Sequence, residues 1–205
     1  MLTNHKDIKA WLDRMGIKNY TINESGTVTV DGDVDISCKD LTEIPVQFRI
    51  VYGDFNCSYN DLKSLDGSPR EVGGDFDCWN NGLKSLEGSP HEVSGNFYCG
   101  SNSLESLNGS PHEVSGNFNC WNGRLTTLEG SPREVGGSFY CNNNHLKALN
   151  GSPQKVNGDF DCRHNRLVSL NGSPQEVGGS FYCYYNNFKP IPNCDTVING
   201  QLFWK

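Results

Sequence analysis

The chain has 205 residues, suiting one domain or one domain with a small appendage. It is polar, with 35% hydrophobic residues, 23 glycines and a mean hydropathy of −0.57, and its net charge is −7. With no run of Lys or Arg the composition disfavours nucleic acid as a partner. No stretch approaches the roughly 18 apolar residues of a membrane helix. The start, "MLTNHKDIKAWLDRMGI", lacks the regions of a signal peptide, so a cytoplasmic location is the expectation.

In chain order, Asn4–Met15 predicts an amphipathic helix with Ile8, Trp11, Leu12 and Met15 on one face. Gly16 can end it. Two short strands are expected near Tyr20–Ile22 and Thr27–Val30. Residues 1–33 are therefore read as an N-terminal cap and 34–205 as a repeat solenoid: a degenerate first unit, six 21-residue units and a C-terminal capping unit. The first unit, "VDISCKDLTEIP", is read as two residues shorter than the others, with Ile36, Cys38, Leu41 and Ile44 in the core register.

The repeat is set by Cys57, Cys78, Cys99, Cys120, Cys141, Cys162 and Cys183, each 21 residues from the next. Phe stands two residues before each cysteine. Leu stands five and eight residues after it, except that the last copy has Phe188 and Ile191. Gly-Ser-Pro follows in six copies and leads to a valine, Val72 through Val177. Segments such as "DFDC" alternate polar and apolar, as a half-buried strand does, with Phe and Cys pointing inward. Asn60, Asn81, Asn102, Asn144, Asn165 and Asn186 share the position three after the cysteine, where a stacked amide ladder can satisfy the turning backbone; Gly123 departs, with Asn122 beside it. The glycine after the second leucine position suits a turn. "SPRE" (Ser68 to Glu71) then reads as a capping box on a single helical or 3₁₀ turn, less well capped in "SPQK" (Ser152 to Lys155). The burial available to one unit falls short of the entropy of ordering it, so stacking must supply the rest. At the far end "INGQLFW" aligns with "VGGSFYC", placing Leu202 at the Phe position and Trp204 at the Cys position, where Trp can seal the core.

The unit G-x-F-x-C-x-x-N-x-L-x-x-L-x-G-S-P-x-x-V-x resembles the leucine-rich repeat, with Phe and Cys at the second and third leucine positions. The chain is similar to short leucine-rich-repeat proteins of tailed phages and giant viruses, through "VDGDVDISCKDLTEIPVQF" followed by "GSPxEVGG" units. The expected fold class is an α/β-type repeat solenoid: a leucine-rich-repeat-like parallel β stack with short 3₁₀ or irregular returns and an N-terminal helical cap. The resemblance implies a small protein made during infection in the host cytoplasm.

The cysteines are expected to be free thiols filling the core. They run parallel from an inward position and lack the paired C-x₂-C spacing of metal ligands. Cys194, outside the register, is the thiol expected to be exposed. His91 and His112 share a return-side position, where solvated side chains are the simpler reading than a metal pair.

Alternation turns outward the positions three and one before each cysteine and one after it. Unlike the core positions, these vary between copies. Trp79, Tyr98, Trp121, Tyr140 and Tyr182 form a staggered aromatic strip, extended by Tyr59, Tyr184 and Tyr185. Asp75, Asp77, Asp159 and Asp161 lie around it, with Arg163 in the same set. Trp and Tyr concentrate at binding hot spots; the competing reading is that they stabilise the strands as ladders. No nucleophile–base constellation stands apart from the repeat, and nothing calls for a cofactor. The expectation is a non-enzymatic scaffold that binds a host protein, a defence protein among the possibilities, through this face. Carbohydrate or small-ligand binding and a structural role in the virion are the alternatives.

Overall fold

The computed structural model describes residues 1–189 and 194–205, so the expected core position of Ile191 lies outside the described residues. The helix α1 spans His5–Met15. The side chain of its N-cap, Asn4, accepts the Lys6 N–H at 2.8 Å, and Gly16 closes it in the left-handed region at φ 76°. Ile8, Trp11 and Leu12 are buried. β1 (Tyr20–Ile22) and β2 (Val28–Val30) pair antiparallel, and Asp13, which pairs with Lys9 Nζ at 2.8 Å within the helix, ties the helix to this hairpin by accepting from the Tyr20 hydroxyl at 2.9 Å.

The rest is a parallel β-solenoid of about eight turns with a 21-residue repeat. One sheet has nine strands, from Val34–Asp35 through the Phe-x pairs of each unit to Leu202–Phe203, all parallel; we call it the Phe sheet. The second has ten strands. It begins with β1 and β2, continues through Phe48–Val51, then takes the dipeptide ending in each unit's valine, from Glu71–Val72 to Glu176–Val177, and closes with Val197–Ile198, where Ile198 takes the valine position; we call it the Val sheet. Nine strands at the usual spacing of about 4.8 Å give a rod roughly 40 Å long.

The second sheet corrects the expected return. Ser68–Glu71 and its copies form no capping box and no helical turn; Glu71–Val72 is extended and pairs in register with Ile50–Val51 and Glu92–Val93. An isolated helical turn fixes several dihedrals for one hydrogen bond, whereas an extended dipeptide bonds to a neighbour on each side. The glycines do turn the chain, at φ 95° in Gly67 and 81° in Gly172. The next serine reaches across turns instead of capping: Ser89 Oγ donates to the Gly109 carbonyl at 2.6 Å. Lys155 leaves no weak cap. It stands in register between Glu134 and Glu176, with its Nζ 3.4 Å from Glu176, and interrupts a column of stacked glutamates.

Between the sheets the core is made of columns. Phe97, Phe118, Phe139 and Phe160 stack near-parallel with centroids 5.1–5.5 Å apart. The stack tilts at its ends, where Phe48 meets Phe55 at 73° and Trp11 meets Phe48 at 61°. The seven repeat cysteines and the leucines behind them are buried, and all nine cysteines are free. Burial pushes the thiols up; Cys183 reaches about 12.

The first unit is a full turn, since Val34 pairs with Phe55 at the 21-residue register, and it is not two residues short. That moves Cys38 out of the core: it is exposed, at the corner position that is left-handed in every turn, φ 52°. Cys194 is half-buried against the core, so Cys38 is the exposed thiol and not Cys194. Leu202 aligns with Phe181 as expected, and Trp204 packs partly buried on the core.

The asparagine ladder is present. Asn102 Nδ2 donates to the carbonyls of Cys78 and Cys99, both at 3.0 Å, while its Oδ1 accepts the Leu83 N–H at 3.1 Å. At Gly123 the ladder is broken, and Asn122 does not replace it; its amide turns to Ser101 Oγ at 3.0 Å.

Candidate binding face

The outer face of the Phe sheet carries the predicted residues, and the structure sorts them into three groups. The first is a corner ladder. Asp54 Oδ1 accepts the Asp75 N–H at 2.7 Å, Asp75 Oδ1 accepts the Asn96 N–H at 2.7 Å, and Asn96 Oδ1 accepts the Asn117 N–H at 2.8 Å. Asn117, Ser138 and Asp159 continue it; Asp159 Oδ1 takes the Ser180 N–H at 2.7 Å. The variation at this position is therefore variation among hydrogen-bond acceptors, which the fold requires. Asp159 spends one oxygen on it, whereas both oxygens of Asp75 are engaged, since Asn96 Nδ2 also donates to Oδ1 at 3.0 Å and Oδ2 at 3.2 Å.

The second group is built on Gly100. Trp79 and Trp121 are two turns apart, yet their rings meet edge to face with centroids 4.7 Å apart at 72°. Gly100 occupies the intervening position without a side chain, so both indoles lean over it. Asp77 is half-buried and holds the turn by accepting the Trp79 N–H at 2.8 Å. Burial raises its carboxyl above the usual range; the Trp79 N–H opposes this and the charge of Asp75 adds to it. Tyr98 and Tyr140 are half-buried in the neighbouring column. The Tyr98 hydroxyl is pushed up by burial and by the carboxylates of Asp75, Asp77 and Asp54.

The third group surrounds Arg163. Asp161, only 2% exposed, receives its guanidinium through Nε at 2.8 Å and Nη2 at 2.6 Å. Nη1 donates to the Tyr184 hydroxyl, and the guanidinium carbon lies 5.5 Å from the Tyr182 ring centre and 5.1 Å from that of Tyr184. Tyr182 stacks on Phe203 at 4.9 Å, and Tyr185 on His164 at 4.5 Å. Tyr185 and Tyr59 are the most exposed tyrosines of the strip, at 67% and 56%. The sequence reading missed Gly100, His164 and Phe203. Gly100 carried a signal, being the one position of its column without a side chain.

On the opposite face His91 and His112 line a shallow depression of about 470 Å³ with Glu92 and Glu113. Among the described residues no group of three or more His, Cys, Asp or Glu side chains is placed to hold a metal ion. Nor is any helix among them long and apolar enough to cross a membrane. Comparison of the chain with protein-family models, with curated proteins and with solved structures returns no match.

Proposed function

We propose that the chain is a non-enzymatic scaffold that binds a protein through the outer face of its Phe sheet. The Trp79–Trp121 pair carries the reading. Two indoles held over a glycine on an outer sheet face give a rigid, amphipathic anchor of the kind that dominates binding energy. The core needs neither ring, since Ser58 and Asn142 occupy the same position in other turns.

The 21-residue unit with its Leu-x-x-Leu spacing and asparagine ladder supports placing the chain with leucine-rich-repeat-like proteins, although the return here is a strand. With the resemblance to phage and giant-virus repeat proteins, this favours action in the host cytoplasm on a host protein, a defence protein included, by sequestering or inhibiting it. Affinity capture from host lysate with the native chain and a Trp79→Ala/Trp121→Ala double variant tests it. A partner retained by the native chain and lost by the double variant is expected; identical recovery by both counts against it.

A further inference from the structure

The outer face already contains one seated cation. Asp161 and the next-turn Tyr182, with Tyr184, hold the Arg163 guanidinium between a carboxylate and two rings. Four turns earlier the same two positions are again aspartate and tyrosine, Asp77 and Tyr98. There Trp79 stands where Arg163 stands and Gly100 where Tyr184 stands, so the carboxylate and one of the two rings recur, the paired indoles of Trp79 and Trp121 replace the other ring, and the arginine is missing.

The charge balance differs accordingly. The ion pairs among the described residues are Lys9–Asp13, Lys155–Glu176 and Arg163–Asp161, and none of them involves Asp54, Asp75 or Asp77. These three carboxylates all act on the Tyr98 hydroxyl. Asp77 is held half-buried beside Trp79 although burial disfavours its charge. A guanidinium laid on the indoles would meet aromatic faces and a carboxylate, the two partners that Arg163 finds within the chain.

We propose that Asp77, Tyr98 and the Trp79–Trp121 pair receive an arginine side chain from a basic segment of the partner protein. This rests on the scaffold reading above and names the chemistry of the partner. A planar guanidinium fits better than an ammonium because the in-chain precedent is a bidentate contact combined with ring stacking.

The probe is an acetylated, amidated tetra-arginine peptide titrated into the full chain, read by tryptophan fluorescence and by the indole N–H signals of Trp79 and Trp121 in NMR. Saturable shifts of those two indoles are expected, with affinity falling about tenfold in Asp77→Asn. That variant keeps the turn, because Asn56 and Asn119 make the equivalent bond at 3.0 and 3.3 Å. The acidic column of the Val sheet is the rival surface, so Glu92→Gln/Glu113→Gln should leave the affinity unchanged. No saturable binding, equal affinity in Asp77→Asn, loss of affinity in the glutamate variant, or equal binding of a tetra-lysine peptide would each overturn the proposal. A captured protein whose binding depends on Trp79 and Trp121 but not on Asp77 overturns the arginine seat and leaves the scaffold reading standing.

Discussion

Trp79 and Trp121 pack edge to face at 4.7 Å although a whole turn of the solenoid lies between them. Neighbouring strands are about 4.8 Å apart, so residues two turns apart start roughly 10 Å from each other. Only a missing side chain between them lets the rings converge. Gly100 is the missing side chain, and a Cβ there would also lie 2.5 Å from the Trp121 carbonyl oxygen. Gly100→Ala is therefore expected to lower stability by about 1–3 kcal/mol and to weaken the near-UV circular dichroism of the indole pair. An unchanged urea midpoint with an unchanged spectrum would show that the glycine is not the spacer.

Asp77 predicts a pH-dependent exchange of stability for binding. Its folded pKa is raised above the ordinary 3.8 chiefly by burial. The folded chain thus holds this proton to higher pH than the unfolded chain does. Stability is lost as pH rises from 3.8 through the folded value, and the penalty persists above it. Asp77→Asn removes the penalty, so it should raise the denaturation midpoint at pH 7 and leave it unchanged at pH 3. The same substitution is expected to weaken partner binding, which separates a functional carboxylate from a structural one.

Asp75 should behave in the opposite way. Its Oδ1 accepts the Asn96 N–H at 2.7 Å, a duty that Asn96 and Asn117 perform as amides further along. Asp75→Asn is expected to be neutral to within about 0.5 kcal/mol, and Asp75→Ala to destabilise by about 1 kcal/mol through the lost acceptor. Equal loss in both variants would assign the effect to the carboxylate as a whole, whose two oxygens accept from Asn96 Nδ2 at 3.0 and 3.2 Å.

Gly123 is a gap in the asparagine ladder. In the other turns the amide oxygen at this position receives a leucine N–H from the preceding turn, as Asn144 receives that of Leu125 at 3.0 Å. Among the described residues no acceptor of this kind faces the Leu104 N–H. Gly123→Asn is expected to stabilise by about 0.5–1.5 kcal/mol, measured by urea denaturation. The new Cβ lies 2.9 Å from Asn144 Oδ1, too close to keep, so that oxygen must shift while holding the Leu125 N–H. A net loss would mean that it does not.

The thiols offer a test of burial. Cys38 is exposed and Cys194 half-buried, while the seven repeat thiols are buried with their pKa values raised. A thiol reagent at pH 8 should modify Cys38 fast and Cys194 more slowly, with the other seven reacting only after unfolding. Fast reaction of any repeat cysteine in the native chain would contradict the column.

Much of the architecture was legible because period and burial are written locally. The 21-residue spacing of Phe, Cys and Leu identifies the core, and the recurrence of Asn60 and its copies at one position announces their ladder. Gly16 and the Gly-Ser-Pro glycines marked left-handed turns. The return was misread for a physical reason. "SPRE" has every local mark of a helix start, but Glu71–Val72 has partners in two neighbouring turns, and parallel pairing satisfies more backbone than one helical turn can. The first unit was misjudged because Val34, at the Phe position, was not counted in its register, which put Cys38 in the core in error.

The sequence by itself determined the repeat length and, in the seven regular units, the inward columns and the outward positions, because alternation along a strand and identity between copies need no knowledge of neighbours. Only the tertiary structure decided what the outward side chains do to one another. Residues 21 or 42 positions apart become contacts only when the turns stack. Stacking brings Trp79 to Trp121, gives Asp161 its arginine and leaves Asp77 without one.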